Sequence, residues 1–574
     1  MTQRINIFTL IILVLVLTAC AKDEADSTPD ANPNPINNSG DPISGDSGGT
    51  TSDTTSPTVT VTPTNTSDDV DTNAKVIATF NEDMLAQTII NDNFNLSVGS
   101  TNIGATVNFD AMTNVATLTP NEALGLSKKY TTRLSTDVTD LSGNPLADTK
   151  IEFTTRRGVW NNDTTTIDGD SGEDSSNSKI ARNSKGDTIV VFEKPVSGIK
   201  RIFATNFSDE QSWKNLTVIS DIRFNSVNPQ VIVDETGKGM AIWIEENSSG
   251  DRLLASRYTA AGGWNDAVTL DSKVGVAVPV NPDLAVDDEG NFSIVWELAS
   301  TTGSSIKSIT YSVGSGWGTK TTISSASIMG YPKIAVSHSK RKIIVWRDET
   351  VDSKNVIKYY RQHQVDGTSD LITSPIFELI APTDDDILSH KVVLDSKGWG
   401  TVAWSHFSPS TGLRKMTAKN IIFVSSTYNN QPHLLASSDR DILGWDLAVD
   451  DAGEVLVVWT TKFSDNVSVS KFSPFKVWSG PETINPPSSK GASNPEIAPG
   501  TQYEFIVIWR ANDSQGTPLV WVNQYSRNGW GTGRSITSEG SFTPKIAGDK
   551  KGRAVVIWRM LNNNRNRIAA RSFD

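Results

Sequence analysis

The sequence predicts an all-β protein: an Ig-like β-sandwich followed by an eight-bladed β-propeller whose N- and C-terminal strands close the ring, with seven blades as the alternative count. Three observations predict it. Short alternating strands between turn signals fill residues 57–156. A unit of roughly 50 residues, the spacing expected of propeller blades, recurs over 157–574. All sixteen tryptophans lie in that repeating part.

Residues 1–19 read as a signal peptide. A short start carrying Arg4 precedes the apolar run from Ile5 to Leu17 and the small residues Thr18 and Ala19. The run is shorter than the about 20 apolar residues a transmembrane helix takes. Leu17-Thr18-Ala19-Cys20 resembles the bacterial lipobox. That resemblance implies cleavage before Cys20 and lipidation of its thiol, palmitate included, so the membrane is a partner through that lipid. Cys20 is the single cysteine, which leaves no intrachain disulfide to form. Durable anchoring takes more than one acyl chain, and the lipoprotein pathway supplies two or three.

Ala21-Lys22-Asp23-Glu24 follows. No Asp comes directly after the cysteine, and the Lys with two acidic residues is similar to the surface-export signal of some Bacteroidetes lipoproteins. The resemblance implies the bacterial outer membrane and the cell surface, with a periplasm-facing position as the alternative. Residues 20–56 are the lipidated cysteine and a tether of Asp, Ser, Thr, Asn, Pro and Gly with almost nothing apolar to bury. As a random coil it spans about 30 Å.

Within 57–156 the strands alternate, as at Val59-Thr60-Val61-Thr62 and Val76-Ile77-Ala78-Thr79-Phe80. About seven short strands in roughly 100 residues make a sandwich. Phe80-Asn81-Glu82-Asp83-Met84, Leu118-Thr119-Pro120 with Tyr130, Asp140-Leu141-Ser142-Gly143-Asn144-Pro145-Leu146 and Phe153-Thr154-Thr155 together resemble the bacterial Ig-like domain of the SbsA type. The resemblance implies a spacer. Tyr130 is expected to bury its ring at a strand start and bond back to a loop, and Gly143 to supply a positive φ. No cofactor is expected; calcium is the one that acidic clusters admit, at Glu82, Asp83 and Asp140 or at Asp384-Asp385-Asp386, although turn formation or solvation is the plainer role of these carboxylates.

The repeat is clearest at Asn281-Pro282-Asp283-Leu284-Ala285-Val286-Asp287-Asp288-Glu289-Gly290, ending Ile294-Val295-Trp296. Its copies end at Phe192, Trp243, Trp296, Trp346, Trp404, Trp459, Trp509 and Trp558. An apolar strand, an Asp-x-x-Gly turn and a β-branched strand ending in Trp are followed by a third strand and a fourth that begins with a second Trp, as at Trp264, Trp317 and Trp530. Four antiparallel strands per unit make a blade, and Trp fills the gap of about 10 Å between packed sheets. The last copy stops after three strands. Gly158 to Ile167 looks like its missing fourth strand and is expected to close the ring, removing exposed edges. The unit is similar to repeats of sialidase-like bacterial surface propellers. The strict sialidase box Ser-x-Asp-x-Gly-x-Thr-Trp is absent, which argues against glycosidase activity.

Lys and Arg total 52 against 65 Asp and Glu, a net charge of −13, which argues against nucleic acid as a partner because its binders need a basic face. Asp234, Asp287, Asp395, Asp450 and Asp549 read as turn formers. The residue after each strand-two aromatic faces the usual ligand side of a propeller. This set holds Glu193, Glu297, Arg347, Arg510 and Arg559, whose arginines suit bidentate recognition of carboxylate or sulfate. Blade-to-blade salt bridging is the plainer role for them. Trp399 and Trp445 are candidate exposed platforms for sugar. The five histidines share no metal-ligand spacing, and no catalytic residues stand out. The expected function is a membrane-anchored binding or adhesion module for a glycan, matrix component or protein. The alternatives are an envelope assembly scaffold and a sialidase-like or polysaccharide-degrading hydrolase.

Overall fold

The computed structural model describes residues 53–574 except 170–171, 209–211, 215, 327–328, 338–340, 350–351, 365–370, 381–382, 422–430, 474–476, 501–502 and 527–528. The expected signal peptide, Cys20 and nearly all of the expected tether lie outside the described residues, as does His338. Apart from one 3-10 turn at Ala86–Thr88, the described regular structure is all β.

Two sheets open the described chain. One orders Val59–Thr62, Val76–Phe80, Val115–Pro120 and Ala105–Asp110; the other orders Ser67–Val70, Thr149–Thr155, Lys129–Leu134, Phe94–Val98 and Thr101–Asn102. Alternation explains the pairing. In Val76–Phe80 every second residue is buried, and residues i and i+2 share a face. Val76, Ala78, Phe80, Phe94, Leu96, Leu118, Leu134 and Phe153 fill the core between the sheets. Tyr130 is buried at a strand start and its Oη accepts the Gly125 N–H at 2.7 Å, the loop contact expected of it. Gly143 adopts φ +88°.

Eight further sheets follow, each built on three long antiparallel strands and a short fourth, in a propeller-like array. The first strands are Ser176–Arg182, Asn225–Val233, Val278–Val286, Met329–Val336, Asp386–Leu394, Ile442–Val449, Lys490–Pro499 and Ser541–Gly548. Each contacts the first strand of the next sheet, and Ser541–Gly548 contacts Ser176–Arg182. Thr165–Thr166 belongs to the eighth sheet, paired with Arg565–Phe573 in the register Thr165↔Ala570. Backbone bonds extend this pairing from Val159 against Asp574 to Ile167 against Ile568.

The strand-two tryptophans form the packing between sheets. Trp243, Trp296, Trp346, Trp509 and Trp558 are fully buried, with Phe192 in the equivalent place. Burying one indole removes about 150–250 Å² from water, which contributes on the order of 5 kcal/mol. In four of these sheets the fourth strand is interrupted rather than continuous. Gly263–Trp264 pairs with one end of the third strand Arg252–Thr259 and Val268–Ser272 with the rest. The second tryptophan caps this strand by ring contact: Trp264 on Tyr258, Trp317 on Tyr311, Trp478 on Phe472 and Trp530 on Tyr525, with centroids 5.2–5.5 Å apart. Trp160 meets Phe573 in the same way at 5.1 Å.

The sandwich packs directly on the array. Leu126 joins the apolar cluster of Trp160, Trp558 and Phe573. Its N–H donates to the Lys551 carbonyl at 2.8 Å, and Arg156 Nη1 donates to the Asp574 carbonyl at 3.0 Å. Gly158 is required at this joint, because a Cβ there would lie 2.3 Å from Phe573 Cζ.

Candidate functional site

The turns after the first strands show why the repeat carries Asp-x-x-Gly. In Asp234, Asp287, Asp395, Asp450 and Asp549, Oδ1 accepts the backbone N–H groups two and four residues on, at 2.7–3.1 Å. The glycine at the fourth position takes φ of 78–85° in each, a conformation that costs other residues energy. These aspartates are turn formers. The turns of the second to sixth sheets and Lys550 of the eighth surround one cavity of about 190 Å³.

At the opposite end of the first strands, sequence reasoning placed Glu193, Glu297, Arg347, Arg510 and Arg559. Glu193 Oε1 accepts Asn177 Nδ2 at 2.7 Å and the Asn228 N–H of the next sheet at 2.9 Å. Glu297 Oε2 accepts Asn281 Nδ2 at 2.9 Å and, more weakly, the Tyr331 N–H at 3.4 Å. Asn228 and Tyr331 have φ of 56° and 55°, so the backbone bulges there and its N–H turns towards the neighbouring carboxylate. Arg347 donates to the Ile387 carbonyl at 3.0 Å and lies over Tyr331. Arg559 lies over Phe542; Arg510 is half-buried. Among the described residues, none of the five side chains pairs with another of the five.

Other expectations are corrected here. Trp445 is no exposed platform: it is buried, its Nε1 donates to Ser389 Oγ at 2.7 Å and Lys391 lies over its ring. Trp399 sits in the Asp395 turn, at the cavity end. The clusters named for calcium are a separate case: Glu82 and Asp140 bring carboxylate oxygens within 4.8 Å of one another, and Asp140 also accepts from Ser142 and Asn144 of its own turn. Asp83 accepts from Asn114 Nδ2. Asp384 pairs with Lys354, and Asp385 with His406 at 2.9 Å and Lys415 at 3.3 Å.

The side chains that converge are others. The residue two positions beyond the bulge in each first strand is Lys179, Gln230, Asp283, Lys333, Lys391, Asp446, Glu496 and Lys545, in sheet order, all half-buried. Seven of the eight are charged, and together they form a girdle. Asp283 pairs with Lys333 at 3.8 Å, Lys391 with Asp446 at 2.6 Å and Glu496 with Lys545. Asp283 and Asp446 also accept the N–H of Ile334 and Ile497 at 3.0 Å. The coupling reaches past adjacent sheets: Lys179 in the first feels Lys545, Glu496, Lys391 and Lys333.

Burial sets the protonation of this girdle. It pushes the Asp283 and Glu496 carboxyls up, the latter helped by Asp446. Burial opposes the charge on Lys391, yet Asp446 and Glu496 hold its ammonium above the ordinary range. Lys179 is pulled down to about 8 by burial and by Lys545. Sequence reasoning missed these eight residues. Their signal is positional, the third residue of Asn-Pro-Gln, Asn-Pro-Asp, Tyr-Pro-Lys, Asn-Pro-Glu and Thr-Pro-Lys in five of the eight copies.

With this geometry in view, residues 53–155 match the family model of a bacterial Ig-like domain, so the sandwich is one. No curated protein matches the chain. Among solved structures, the chain is similar to the BP39L lectin from Burkholderia pseudomallei, at 12% identity and TM-score 0.42, covering 63% of this chain and 99% of that one. It is also similar to the polysaccharide lyase Uly1, at 10% identity and TM-score 0.38, over 58% of this chain and 87% of that one. A Penicillium chrysogenum α-L-arabinanase is similar at 12% identity and TM-score 0.34, over 55% and 98%.

Proposed function

We propose that this chain is a binding module: an eight-bladed propeller, closed by pairing of residues 159–167 with 568–574, that takes a glycan or protein ligand at the girdle end of its central channel. The observation that carries this reading is the girdle itself: seven charged side chains at one register position of the first strands, joined by ion pairs between neighbouring sheets, with Lys179 within electrostatic reach of four of them. The Glu193 and Glu297 carboxylates support binding over hydrolysis, because neighbouring sheets already occupy them. In this reading Cys20 carries lipid, residues 20–56 are the tether and the protein stands on the bacterial outer membrane, facing outward.

The test is a screen of the full chain in mild detergent against neutral, uronate-containing and sulfated glycans, run beside protease shaving of intact cells. Saturable binding without turnover, by a propeller lost on shaving, supports the reading. Depolymerisation of a bound polysaccharide would replace it with the hydrolase or lyase alternative. Protection of the propeller until lysis would move the protein to the periplasmic side. Cys20→Ser should abolish incorporation of labelled palmitate.

A further inference from the structure

Among the described residues, the girdle's eight positions make three ion pairs. Each pair joins adjacent sheets: third to fourth, fifth to sixth, seventh to eighth. Lys179 of the first sheet and Gln230 of the second remain. Among the described residues, Lys179 makes no ion pair and the Gln230 side-chain amide makes no hydrogen bond. The two occupy equivalent places on first strands that contact one another. Four ammonium groups (Lys179, Lys333, Lys391, Lys545) face three carboxylates (Asp283, Asp446, Glu496).

We propose that the gap between Lys179 and Gln230 binds a compact oxyanion, a carboxylate or sulfate group. This deepens the binding reading above and rests on its closed ring. An ammonium offers three donors and a primary amide two, and charge-assisted bonds to an oxyanion are the strong ones. A half-buried cation without a counter-charge is costly, and burial already draws the Lys179 proton towards release. An anion seated there completes the fourth pair of the girdle. The other end of the first strands repels such a ligand: Asp234, Glu235, Asp287, Asp288, Asp450 and Asp451 line the cavity there, with Lys550 as the cation among its lining residues. An anion is thus drawn in from the girdle end.

The test is calorimetric titration of the full chain in mild detergent with sodium sulfate and with glucuronate, at constant ionic strength and neutral pH. One saturable site is expected, shared by both anions in competition. Lys179→Met should weaken it at least tenfold. Gln230→Glu should abolish it, because the new carboxylate takes Lys179 as its partner, while the variant melts at or above the temperature of the parent and so reports a folded protein. Absence of saturable heat from either anion overturns the site, as does unchanged affinity in both variants. Sulfate or glucuronate binding that survives Gln230→Glu also overturns it, even where glycan binding by the full chain leaves the binding reading intact. Sulfate bound at Lys179 by a protein that captures no glycan or protein leaves the site standing and removes that reading.

Discussion

Arg182 in the first sheet of the array and Asp549 in the last are joined by an ion pair, Nη2 to Oδ2 at 3.1 Å, with both side chains fully buried. Asp549 Oδ2 also holds Arg553, while its Oδ1 forms the turn. Asp549→Asn keeps the turn acceptor and removes the buried carboxylate charge that faces Arg182. Breaking a buried pair on one side costs about 3–5 kcal/mol. Asp234→Asn makes the same change where, among the described residues, no ion pair forms, and Asn183 already serves that role in the first sheet. It should cost less than about 1 kcal/mol, within the range of a single hydrogen bond. Urea unfolding midpoints compare the two.

Gly158 sits where a methyl group has no room, against Phe573 and Leu126. Gly158→Ala should lower the melting temperature and expose the segment after residue 155 to limited proteolysis. Overpacking of this kind costs about 1–3 kcal/mol. Deleting residues 158–167 should be far worse, since it removes the pairing partner of the last strand. A deletion variant that melts like the parent would show that this pairing does not hold the array together.

Two strand-two tryptophans differ in one bond. Trp296 Nε1 donates to the buried Asp271 at 2.7 Å, whereas Trp243 Nε1 has no partner among the described residues. Trp296→Phe loses packing and leaves Asp271 short of a donor, for about 2–4 kcal/mol. Trp243→Phe loses packing alone, and should cost about 1–2 kcal/mol less than its counterpart. Chemical denaturation of both variants reads the difference directly.

Burial, with Lys333 nearby, pulls His390 down to about 4. The native state keeps it neutral while the unfolded chain takes up a proton near 6.5. Stability therefore falls as pH drops from about 6.5 to 4, by on the order of 3 kcal/mol from this group. Asp450, raised to about 6 by burial, works in the opposite direction over much of the same range. The difference between the parent and His390→Gln isolates the histidine. Equal pH profiles for the two would contradict the assignment.

The periodic parts of this fold were legible because they depend on residue type. Trp at the end of strand two and Asp-x-x-Gly in the turn each have one physical job, and most copies retain it. The candidate site was not, because its positions share a place and not a chemistry: Lys179, Gln230, Asp283 and Lys333 occupy one register with different charges. Glu193 and Glu297 stood out as charged residues on the ligand side. Their structural work was hidden, since it depends on bulged backbone at Asn228 and Tyr331 presenting an N–H that sequence does not advertise. The single Phe-for-Trp change at Phe192 had no such effect, as that ring fills the same buried place.

The segment 159–167 lies alongside 568–574 and leads straight from the sandwich. Tension applied upstream of the sandwich enters the array along the axis of that strand. Its hydrogen bonds then share the load in shear, all at once, and do not peel one after another. The arrangement is a lap joint, and the buried Trp160–Phe573 contact is its rivet. A bound array pulled from its N-terminal side is thereby gripped at its strongest direction.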